Sequence, residues 1–81
     1  MNTITELKET AIYFGKTTKR QKSIFFKAYL KDLDYIIDHI EPQLQREPLA
    51  WHLGERITAE DLRNYKAERE YIVENFLELI N

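Results

Sequence analysis

Residues 24–41 read IFFKAYLKDLDYIIDHIE. Phe26, Leu30, Leu33, Ile37 and Ile40 recur in alternating steps of four and three, which makes one continuous stripe on an α-helix. Phe25, Tyr29 and Ile36 form a second row beside it, so the apolar face is wider than a two-helix seam requires. Such a helix needs partners on more than one side. The expected fold is therefore all-α: a small three-helix bundle, one helical domain spanning residues 1–81.

Working outward from this stretch, Thr18 with Gln21 makes a capping box at its start, and Pro42 is expected to end the helix at Glu41. Upstream, Thr3 and Glu6 can cap a first helix over about 4–14, in which Ile4, Leu7, Ala11 and Phe14 share a face. Gly15 suits the left-handed position after its last turn. Downstream, Thr58 answered by Asp61 opens a third helix, with Ile57 stapled onto Leu62. Its rhythm of Leu62, Tyr65, Ile72, Phe76 and Leu79 runs to the C-terminus, with Arg69 in the seam. Between them lies EPQLQREPLAWHLGERI, residues 41–57, too long for a simple turn. Pro48 and Gly54 suggest a short extra helix there, with Trp51 plugging the end of the bundle.

Charge places the second and third helices antiparallel. That arrangement layers Ile40 on Leu62, Ile37 on Tyr65, Leu30 on Ile72 and Phe26 on Phe76. Along the flank it brings Lys31 to Glu70, Lys27 to Glu74, Asp34 to Lys66 and Asp38 to Arg63, all matched in sign. Exposed pairs contribute only ~0–1 kcal/mol each, so they choose register while apolar layers supply stability.

The bulk numbers narrow the functional classes. The chain has 81 residues, 43% of them hydrophobic and 32% charged, and no cysteine, so thiolate metal sites and disulfides are excluded. No apolar run approaches a membrane span, and Glu6, Lys8 and Glu9 interrupt the N-terminus, which predicts a cytoplasmic protein without a signal peptide. The net charge of −2 conceals a division: six Lys/Arg and no acid between Lys16 and Lys31, then twelve acids against five bases from Asp32 onward.

The densest chemistry lies in YFGKTTKRQKS, residues 13–23. A phosphate loop would need a glycine five residues before the Gly-Lys pair, and position 10 is Thr. Lys16, Lys19, Arg20 and Lys22, with the free amides of the second helix, could instead contact nucleic-acid phosphates, and Tyr13, Phe14 and Phe25 could stack bases. Lys27 and Lys31 are expected to balance the acidic ladder Glu70, Glu74 and Glu78. His39 and His52, even with Glu41 and Glu55, lack metal-ligand spacing, and no nucleophile motif accompanies them. No catalytic residue, metal, cofactor or small-molecule substrate is assigned.

The resulting expectation is a non-catalytic protein-interaction module, a regulator or inhibitor of the kind found among phage and plasmid accessory proteins. Its contact residues are Phe25, Tyr29, Ile36, Trp51, Glu70, Glu74 and Glu78, and its occupant is another protein or a second copy of the chain. The alternative is a nucleic-acid-binding module using Lys16, Lys19, Arg20 and Lys22.

Overall fold

A computed structural model describes residues 3–81, in the order α1 (Ile4–Tyr13), α2 (Lys19–Leu44), β1 (Ala50–His52), β2 (Glu55–Ile57), α3 (Ala59–Glu74) and α4 (Phe76–Ile80). The described chain is mostly helical, with one small two-stranded antiparallel sheet.

The caps fall where local chemistry puts them. Thr3 accepts the Glu6 amide, and Thr18 with Gln21 and Thr58 with Asp61 both form complete capping boxes. After α1, Gly15 takes φ +76, while Lys16 N donates to Ala11 O at 2.8 Å and Gly15 N to Ile12 O at 2.8 Å. This is a Schellman closure, which a left-handed glycine permits.

Three expectations about the elements are corrected. First, α2 does not stop at Glu41 but passes through Pro42 to Leu44. The proline removes the donor that Asp38 O would receive. Tertiary contacts offset that loss: Leu44 packs on the cluster of Ile40, Ala50 and Ile57, and the Gln43 side chain holds β1.

Second, the connector is a β-hairpin rather than a short helix, with Ala50 opposite Ile57, Trp51 opposite Arg56 and His52 opposite Glu55. Leu53 (φ +51) and Gly54 (φ +81) form the turn, and two positive φ values give the primed geometry that matches strand twist. The Gln43 side chain accepts from Trp51 N at 2.9 Å and donates to Trp51 O at 3.0 Å. One amide thus covers the exposed edge of β1 as a further strand would.

Third, the last helix breaks at Asn75, whose side-chain amide donates to Tyr71 O at 2.8 Å and separates α4 from α3.

Two apolar clusters lie along α2. Leu7, Ala11, Phe26, Leu33, Ile72, Leu79 and Ile80 form one, and Ile40, Ala50 and Ile57 the other. Phe26 shares its cluster with Phe76, and Ile40 with Leu62, as the expected layers require. Each fully buried large side chain, such as Phe26, Leu7 or Ile72, contributes ~1.5–3 kcal/mol before entropy is subtracted. Helix α1 lies principally against α4, and Ile4 N donates to the Tyr71 hydroxyl at 3.1 Å.

The flank pairs differ from those expected. Asp34 pairs with Arg69, one turn beyond Lys66, and Lys66 pairs with Glu41. The partners still run in opposite directions along the two helices, so α2 and α3 are antiparallel.

The molecule measures 43 × 22 × 16 Å. Its radius of gyration of 14.0 Å exceeds the ~12 Å expected for a sphere-like domain of this length. The cause is α2, whose 26 residues alone extend ~39 Å.

Candidate functional site

The Schellman closure and the Thr18 box fix a tight corner between α1 and α2. Aromatic rings line that corner. Tyr13 meets Phe14 edge-on at 5.1 Å, Phe14 reaches Phe25 at 5.9 Å, and Phe25 touches both Phe26 at 5.2 Å and Tyr29 at 6.3 Å. The chain of rings descends from solvent to core: Tyr13 is 84% exposed, Phe14 58% and Phe26 fully buried. At its inner end the Tyr29 hydroxyl donates to the Glu68 carboxylate. Burial above all, then that hydrogen bond and the carboxylate's charge, push the Tyr29 hydroxyl well above its ordinary pKa.

Around this corner stand the cations. Among the described residues, the two side-chain ion pairs are Glu41–Lys66 and Asp34–Arg69, so Lys16, Lys19, Arg20 and Lys22 join none. Lys22 Nζ donates to the Asn81 main-chain carbonyl at 3.2 Å, and Lys19 and Arg20 stand exposed. The expected balancing of Glu74 by Lys27 and Glu70 by Lys31 does not occur. The basic edge is therefore less compensated than charge matching alone implies. Its free amides are fewer than expected, because Gln21 N is taken by Thr18 Oγ1 and the Thr17 and Thr18 amides by Gln21 Oε1.

The other candidates lie elsewhere. Phe25, Tyr29 and Ile36 are half-buried, the first two on the larger cluster and Ile36 on the smaller. Glu70, Glu74 and Glu78 are exposed on the α3–α4 side, and Glu70 and Glu74 border a groove floored by Ile37 and Val73. Trp51 is not the plug: its ring is half-open with the Arg56 guanidinium 5.2 Å above it, while Ala50 and Ile57 fill the core. Opposite pleats explain the difference, since Ala50 and Trp51 point to opposite faces of β1.

The hairpin also gathers Tyr35, His39 and His52 into one ring cluster. Sequence spacing carried no sign of it, because only the fold-back of β1 onto α2 makes residues 39 and 52 neighbours. Among the described residues no helix is long and apolar enough to cross a membrane. No protein-family model, curated protein or solved structure matches this chain.

Proposed function

We propose that the protein is a non-catalytic cytoplasmic binding module, a regulator or inhibitor that acts by covering part of a partner protein. The observation that carries this reading is the α1–α2 corner, where exposed Tyr13 and Phe14 stand on rings that lead down to buried Phe26, beside cations that join no ion pair among the described residues. Rigid aromatics backed by core side chains, with cations at the rim, are the composition of binding hot spots. The partner it suits presents an apolar notch bordered by carboxylates. Trp51 with Arg56, and the ladder Glu70, Glu74 and Glu78, are proposed secondary contacts; Phe25, Tyr29 and Ile36 support the surface from beneath. In this reading α4 prolongs α3, and together with α1 and α2 they make a three-helix bundle.

A photo-crosslinking residue at Tyr13, with a control at Glu60, tests the proposal in cells producing the protein. A discrete protein adduct at position 13, lost on Phe14→Ser with Arg20→Glu, is the expected result. Equal labelling at both positions overturns it.

The second reading is a nucleic-acid module, favoured by the same uncompensated cations. Fluorescence anisotropy with short DNA and RNA at two salt concentrations separates the two. Binding that falls steeply with salt and vanishes in Lys19→Glu/Arg20→Glu/Lys22→Glu selects nucleic acid. No binding at low salt leaves the protein partner.

A further inference from the structure

His39 lies on the exposed face of α2 and His52 at the end of β1, one residue before the turn. Their ring centroids are 5.2 Å apart with planes inclined at 62°. Tyr35 lies parallel to His39 at 6.3 Å and edge-on to His52 at 6.0 Å.

The pair packs as other rings here do, and two features suit it to a shared ligand as well. The first is the spacing. A metal bound by two imidazoles lies ~2.0–2.1 Å from each nitrogen, hence about 3.2 Å from each ring centre, and a tetrahedral angle then separates the centres by about 5.2 Å. The second is the Nδ1 atom of His52, which is shielded from solvent and has no hydrogen-bond partner. Buried polar atoms in folded proteins are nearly always satisfied, and one that is not calls for a specific explanation, a bound ion among them. A neutral imidazole protonated at Nε2 leaves a lone pair at Nδ1, which is a metal ligand and a poor neighbour for bare carbon. Among the described residues nothing hydrogen-bonds a ring nitrogen of the exposed His39, so that ring can turn to present one.

We propose that His39 and His52 chelate a divalent transition-metal ion, zinc being the probe of choice, between α2 and the hairpin. Imidazole nitrogen is a preferred donor for zinc, copper and nickel over magnesium or calcium, which sets the chemical class of the ion. Among the described residues no group of three or more His, Cys, Asp or Glu surrounds it, so the two imidazoles are its protein ligands and water reaches it from the exposed His39 side. Such a site fastens β1 to the last two turns of α2 rather than closing a structural cage.

The test is calorimetric titration of the full chain with zinc chloride, alongside His39→Ala and His52→Ala, with thermal unfolding followed in parallel. His39 is exposed, so its variant keeps the fold even if His52→Ala does not. Expected is saturable uptake by the wild type with a rise in Tm, weakened by roughly 10–100-fold or more in either variant, since even outer-shell losses are that large. No uptake at near-millimolar zinc, or uptake unchanged by His39→Ala, overturns the proposal and leaves the pair as an edge-to-face ring contact. Loss in His52→Ala alone overturns it too, because two imidazoles are then not shared by one ion.

Discussion

Leu53 occupies a backbone conformation that leucine disfavours, and replacing it should stabilise the protein. Its φ of +51 lies in the left-handed region, where Cβ crowds the following carbonyl at a cost of roughly 1–2 kcal/mol. The side chain recovers almost nothing by packing, being 90% exposed. Full burial of a leucine would contribute ~1.5–3 kcal/mol, so a tenth of that is about 0.2–0.3 kcal/mol. Asparagine tolerates the left-handed region and is the preferred partner of glycine in this turn. Leu53→Asn should therefore stabilise by about 0.5–1.5 kcal/mol. Unfolding entropy of ~2.1 cal/mol/K per residue gives about 170 cal/mol/K for a chain of this length, so 1 kcal/mol corresponds to about 6 °C. Thermal unfolding followed by far-ultraviolet circular dichroism should show Tm rising by about 3–9 °C on that scale. Leu53→Val, β-branched and worse in this conformation, should lower it. A fall in Tm for Leu53→Asn, or no change for Leu53→Val, would refute the left-handed turn and with it the hairpin register.

Three further perturbations probe other links. Pro42→Ala restores the donor for Asp38 O inside α2 and should raise the urea midpoint by the equivalent of about 1–2 kcal/mol, with m unchanged. Tyr29 has its folded pKa raised, so its contribution is complete below the unfolded value of about 10 and is lost as pH rises through the folded one. Stability of the wild type should thus decline above about pH 10, and Tyr29→Phe should flatten that limb; equal slopes in both proteins would contradict the assignment. Arg69→Leu removes an ion pair whose side chains are 46% and 48% exposed, so stability should stay within about 1 kcal/mol of wild type. Cooperative unfolding well below the wild-type midpoint would mean that the guanidinium holds more than Asp34.

What could be read in advance was local. Thr18–Gln21, Thr58–Asp61 and Gly15 set helix boundaries through contacts within a few residues, so sequence spacing suffices. The core stripe of α2 was legible for the same reason: Phe26, Leu33, Ile37 and Ile40 are all buried. Pro42 misled because its effect is local but its compensation is not; Leu44 and Gln43 meet β1 only after the chain turns back. The hairpin escaped because its strands are three residues each and its turn is Leu-Gly rather than Asn-Gly. Of the candidate surface, the basic cluster and its neighbouring aromatics were visible as composition. What was not visible is that Lys27 and Lys31 also go without ion pairs, since they are opposite in charge to Glu74 and Glu70 yet do not meet them.

The docking of α1 on α4 has a bearing on how the chain matures during synthesis. Leu7 and Ala11 leave the ribosome well before Leu79 and Ile80, which complete their apolar surroundings from about 70 residues further along the chain. A ten-residue helix is too short to persist alone in water. Until residues 79 and 80 have been made, then, α1 has nowhere to settle, and its apolar face is open to chaperones or to a neighbouring nascent chain. The hairpin and the C-terminal part of α2, Ile36, Ile40 and Leu44, face no such delay.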